Sequence, residues 1–137
     1  FVLAHRVPAS MSAMSAGEYL TMLTHADQVP GNTLVIWHSA TWFYLDRPAR
    51  VEIRSAIRKL ANRATPSTPV VHVSWEWKRD SSDPAMPYAL VGRSWPAGGA
   101  WAPWRPGTSV QLGTGSAHGM PMRWAEPKPL PSDPLEV

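Results

Sequence analysis

TLVIWHSATWFYL, residues 33–45, is the stretch whose reading decides the fold. Five β-branched or apolar residues, Thr33 to Trp37, run into a polar pair, His38 and Ser39, and a second aromatic group, Trp42, Phe43 and Tyr44, follows at once. Six residues at the rise of a strand span about 20 Å, enough to cross a domain. An apolar run without alternation is the pattern of a strand covered on both faces. The expectation is a central strand over 33–38.

Working outward, Asp46 and Pro48 announce a helix: Asp accepts from free N–H groups at a helix start, and Pro is tolerated in the first turn. Ile53, Ala56, Ile57, Leu60, Ala61 and Ala64 recur at spacings of three and four, which places them on one face of a helix over 51–64. After a turn-rich break at 65–69, VVHVSWEW at 70–77 reads as a second strand. Strand, helix and strand in that order predict a parallel pair joined by a crossover. Before the central strand, Ser15 and Glu18 have the spacing of a capping box, and Tyr19, Leu20 and Leu23 supply the apolar side of a short helix.

Beyond Ser81 the character changes, with ten of the 15 Pro and seven of the nine Gly. Helical periodicity gives way to short strand candidates at 88–95, 109–114 and 120–124, and antiparallel pairing suits strands joined by such turns. Residues 125–137, with four Pro, read as an extended tail, which sets the domain at 1–124.

Composition bounds the chemistry. A chain of 137 residues, 44% hydrophobic and 17% charged, is long enough for one globular core. Cys is absent, which removes disulfides, thiol nucleophiles and thiolate metal sites and fits a cytoplasmic setting. No apolar run approaches the roughly 18 residues of a membrane span. The net charge of +3 falls short of the basic stripe of a nucleic-acid domain. The five His show no close metal-ligand spacing, so no metal is expected.

The order LVIWHSATWFYL, a basic helix, ATPSTPVVHVSWEW, a Trp-Pro-Ala-Gly-Gly turn and AHGMPMRW resembles the carboxyl-terminal half of an uncharacterised bacterial family. Longer members of that family look like class I S-adenosylmethionine-dependent methyltransferases. The resemblance implies a Rossmann-like α/β fold seen from its second half: a parallel βαβ unit, then an antiparallel hairpin, in an incomplete sheet. It also implies S-adenosylmethionine as cofactor. The Gly-rich turn and acidic residue that hold this cofactor in the first half of such folds have no match here. The chain is therefore expected to be a fragment or truncated relative that does not bind the cofactor alone.

Candidate site residues follow from position. Open α/β sheets bind ligands outside the carboxyl ends of their strands, which singles out His38 and Ser39 at the end of the first strand and Glu76 at the end of the second as catalytic candidates. A carboxylate beside an imidazole fixes its tautomer and raises its proton affinity; the competing reading pairs Glu76 with Lys78 or Arg79 at the surface. Trp42 and His118 are the cofactor-binding candidates. The GTGSAHG run at 113–119 lacks the spacing and the following helix of a dinucleotide turn, so a bulge or bend is expected there. Arg50, Arg54 and Arg58 form a row that reads either as a phosphate-binding surface or as the solvated back of an amphipathic helix.

Trp75 and Trp77 point to one side of their strand. With Trp95, Trp101 and Trp104 they would line an aromatic pocket or fill a core. Two functions stand open: a small-molecule or cofactor cleft at the strand ends, and a non-catalytic interaction module. The second would act through an exposed sheet edge, as a homo-oligomer or with a missing amino-terminal half.

Overall fold

The computed structural model describes residues 10–78, 81–96 and 105–131. Helix α1 (Ala16–His25) is followed by strand β1 (Leu34–Ser39), a 3-10 turn (Trp42–Tyr44), helix α2 (Arg47–Asn62) and strands β2 (Val70–Trp77), β3 (Tyr88–Trp95), β4 (Val110–Gly115) and β5 (Met122–Pro129). The strands form one open five-stranded sheet in sequence order. β1 and β2 are parallel, with Leu34 opposite Val70 and His38 opposite Ser74. Every later pairing is antiparallel. Trp101, Trp104 and Arg79 lie outside the described residues.

Local chemistry explains the helices. Ser15 Oγ accepts from Glu18 N, and the Glu18 carboxylate accepts from Ser15 N, closing the capping box on α1. Those bonds hold the Glu18 carboxyl below the ordinary carboxylate range. Asp46 caps α2 by accepting from Ala49 N, with Pro48 in the first turn. At the far end of α2, the Arg63 guanidinium donates to Thr24 O and Ala26 O, which satisfies carbonyls at the end of α1.

Leu20 of α1, Trp42, and Ile53, Ala56, Ile57 and Leu60 of α2 form one core, with Leu34 and Ile36 of β1 packed against it. Both helices therefore lie on the same face of the sheet. Each large aliphatic side chain buried there contributes roughly 1.5–3 kcal/mol before entropic costs.

One expectation changes here. The apolar run at 33–38 suggests cover on both faces, yet burial along β1 alternates. Leu34, Ile36 and His38 face the helices, whereas Val35 and Trp37 are more than half exposed. An apolar run reports what a strand can bury, and among the described residues no layer covers its second face. β5 also continues through Pro129, so the sheet runs past residue 124 into the stretch expected to be a tail. No helix among the described residues is long and apolar enough to cross a membrane.

Candidate functional site

The carboxyl ends of β1 and β2 carry different chemistry on the two sides of the sheet. Because alternate residues of a strand point to opposite faces, His38 sits with His72, Ser74 and Glu76 on the helix side, and Ser39 falls on the open side with Trp37 and Trp75.

On the helix side four side chains from three strands join in a line. Arg93 Nη2 on β3 lies 3.0 Å from His72 Nδ1 on β2. His72 Nε2 lies 3.0 Å from His38 Nε2 on β1. His38 Nδ1 lies 2.8 Å from Glu76 Oε1, back on β2. The same carboxylate oxygen accepts from Thr41 N at 2.9 Å and Trp42 N at 3.2 Å, which holds the turn leaving β1.

The donors fix the protons. A guanidinium only donates, so His72 Nδ1 accepts and its proton sits on Nε2. His38 Nε2 must then accept, which leaves its proton on Nδ1, donated to Glu76. His72 is 1% exposed, and burial, followed by the neighbouring Arg93 guanidinium, lowers its pKa to about 2. It is neutral at physiological pH. For Glu76, burial works to raise the pKa, but the bonds from His38, Thr41 and Trp42 outweigh it and hold the carboxyl below its ordinary value.

The alternative in which Glu76 is a surface residue is replaced by this geometry, since the Glu76 side chain is 8% exposed and its Oε1 meets His38. Both His38 ring nitrogens are occupied. The line is also not a proton wire, because Arg93 at its end cannot supply the proton that a shift of both tautomers would need.

Trp42 is 7% exposed and belongs to the core, stacked on His38 with ring centroids 5.8 Å apart. Two members of the arginine row fold onto its ring: Arg54 Cζ is 5.5 Å and Arg50 Cζ 6.0 Å from the centroid. Arg50 Nε also donates to Trp42 O. Arg58 is exposed, so the row divides: Arg50 and Arg54 lie half-buried over Trp42, and Arg58 faces solvent. Three buried side-chain nitrogens have no hydrogen-bond partner among the described residues: Trp42 Nε1, Arg54 Nε and Trp75 Nε1. An unpaired buried donor costs about 1–3 kcal/mol, so each asks for an explanation.

On the open side, Trp37, Ser39, Val73, Trp75, Leu90, His118 and Trp124 are among the residues lining a cleft of about 540 Å³. Trp75 is its buried floor, stacked on Tyr88 at 6.2 Å. Gly115 makes room for that ring, because a Cβ there would stand 2.7 Å from Trp75 Cη2. The GTGSAHG run is the end of β4 and the following turn, with a register shift between Gln111 and Gly113 and a positive φ at Gly119. That turn carries His118 to the rim.

The five named candidates are thus divided. His38, Glu76 and Trp42 meet on the helix side, and Ser39 and His118 meet at the cleft. His72 and Arg93, which complete the buried line, were not reached by sequence reasoning. The available signal was the two-residue alternation placing His72 and Glu76 on one face of their strand. Among the described residues no group of three or more His, Cys, Asp or Glu could hold a metal ion.

Comparison with curated proteins and with solved structures gives no match. A family of uncharacterised proteins conserved in bacteria (DUF2332) matches residues 1–124, and the chain belongs to that family.

Proposed function

We propose that the carboxyl-end rim of β1 and β2 binds a small molecule and takes a flat, uncharged ring into the cleft on the open face. The observation that carries this reading is the lining. Three indoles converge on a cleft of about 540 Å³ whose lining, among the described residues, includes no Asp, Glu, Lys or Arg. Ligand pockets are typically of this size, largely apolar, with a few polar groups that fix orientation. Ser39 and His118 are those groups. The cleft lies on the open face of the sheet and reaches Ser39 at the carboxyl end of β1, beside the strand ends where open α/β sheets take ligands.

The wider frame is a Rossmann-like, methyltransferase-like segment. The parallel β1–β2 pair bridged by α2 supports it, and the sequential antiparallel strands and the helices on one face are not specific to it. In that frame S-adenosylmethionine is the methyl donor, held by residues outside this chain, and His38 and Glu76 brace the wall behind Ser39.

The test is nuclear magnetic resonance of the indole N–H groups during titration with adenine, an uncharged flat probe, beside calorimetry with S-adenosylmethionine. Saturable shifts at Trp37 and Trp124, lost in Trp124→Ala, and no heat with S-adenosylmethionine are expected. Unmoved indoles overturn the cleft. Tight binding of S-adenosylmethionine by these 137 residues overturns the assignment of its site elsewhere.

A second reading, an interaction module, is favoured by β1. Among the described residues it ends the sheet, and Val35 and Trp37 stand exposed on it. A second copy paired along this edge would give a dimer in light scattering that Val35→Lys abolishes. A monomer throughout the concentration range removes this reading.

A further inference from the structure

Among the described residues, three glycines and one alanine have a positive φ, and the alanine is Ala40, at 48°. An ordinary L-residue is disfavoured there about tenfold, because its Cβ crowds the following carbonyl. Gly escapes for want of a Cβ, and Asn or Asp through a local side-chain bond. Ala has neither escape, so this turn must be held from outside. Such residues persist where their surroundings over-determine them.

The bonds that hold it come from β2. Ala40 N donates to Trp75 O at 2.8 Å. Thr41 N and Trp42 N both donate to Glu76 Oε1, at 2.9 and 3.2 Å. Thr41 is right-handed after the left-handed Ala40, and successive N–H groups in a turn of mixed hand form a concavity for an anion. The Glu76 carboxylate fills it. Thr41 Oγ1 donates to Ser39 O at 2.8 Å, which ties the turn to the last residue of β1. Ser39 lines the open-face cleft. The turn therefore joins Glu76 on the helix side to Ser39 on the open side.

We propose, on the reading of the open-face cleft as a ligand site, that Glu76 is a positioning residue for that cleft: by holding Ala40 left-handed it keeps Ser39 at the cleft wall, and residues 39–42 are a latch between the two sides of the sheet. Without the Glu76 acceptor, the Ala40 backbone returns to its preferred hand, the bond to Trp75 O opens and Ser39 leaves the wall. A ligand that uses the Ser39 hydroxyl then binds only the latched fraction, and its apparent affinity falls in proportion. Ala40→Gly removes the preference against the left-handed form, so it should restore the latch even without Glu76. A carboxylate that served the core alone would show no such rescue.

The experiment is hydrogen exchange of the residue-40 amide in the full chain, corrected for intrinsic rates and read against the amides of β3, which report global opening. With Glu76 in place, protection should rank Ala40→Gly above the unaltered chain and the unaltered chain above Ala40→Val, with steps of about tenfold. Glu76→Ala should lose at least tenfold relative to β3, and Glu76→Ala with Ala40→Gly should regain most of it. Adenine should bind Glu76→Ala about tenfold more weakly, with recovery in the same double variant. Equal protection in the three residue-40 variants, or no rescue by Ala40→Gly, overturns the latch with the cleft intact. Unchanged adenine affinity in Glu76→Ala overturns the positioning of Ser39. Absence of any adenine response in the unaltered chain overturns the cleft reading, a result distinct from both. Should Glu76→Ala fail to fold by circular dichroism, the ranking of Ala40→Gly and Ala40→Val still decides whether the turn is held under strain.

Discussion

On the helix side of the sheet, Arg93, His72, His38 and Glu76 are bonded end to end, whereas on the other side Trp37, Trp77 and Trp124 stand more than half exposed. The same strands supply both surfaces. The buried side contains polar groups whose hydrogen bonds are used internally, so its chemistry is directed at the fold. The open side contains apolar rings with little to bind them, so its chemistry is directed outward. Function at the strand ends is therefore better sought where burial is incomplete than where titratable groups are densest.

The largest test of this contrast removes the hub of the buried side. Glu76→Ala leaves His38 Nδ1–H and two main-chain N–H groups without their acceptor, and leaving a buried donor unsatisfied costs about 1–3 kcal/mol each. Urea denaturation should show that loss. A cost below about 1 kcal/mol would mean that the line is solvated and the two faces are alike.

Acid should act next. Between its ordinary value near 6.5 and about 2, His72 binds a proton in the unfolded chain but not in the fold. Stability from this group is thus complete above pH 6.5 and is lost as pH falls through that window, at up to about 1.4 kcal/mol per pH unit. Glu76, whose carboxyl is held below its ordinary 4.5, adds a loss of the same sign at still lower pH. Denaturation midpoints recorded from pH 7 to pH 4.5 should fall steadily and should flatten in His72→Gln. A flat profile in the unaltered chain would show that His72 is not buried as a neutral ring.

The smallest effect belongs to the open side. Trp124→Ala, at 75% exposure, should change stability by no more than about 0.5 kcal/mol. A loss of several kcal/mol would show that Trp124 is packed in solution and that the open face is covered.

How much of this was legible beforehand depends on the range of the forces concerned. The capping box at Ser15, the cap at Asp46 and the apolar stripe of α2 are local patterns, and the elements they predict are present. The parallel pair followed from element order. The covering of β1 did not, because Val35 and Trp37 have the same composition whether or not a second layer meets them. Glu76 was legible as a neighbour of His38 but not as buried, since its environment comes from the main chain of Thr41 and Trp42, which meets it only in three dimensions. Arg93 reaches His72 through an antiparallel pairing that places it opposite that residue, and only the sheet reveals it.

The bonded line of side chains also runs across the strands rather than along them. Sliding β1 by one residue against β2 would turn His38 to the opposite face. Sliding it by two would restore the face but displace the imidazole by about 6.6 Å, beyond reach of both Glu76 and His72. Main-chain ladders tolerate such displacements, because each N–H meets another carbonyl. The four side chains do not, so they act as a key cut for a single alignment, placed at the strand that among the described residues has a neighbour on one side only.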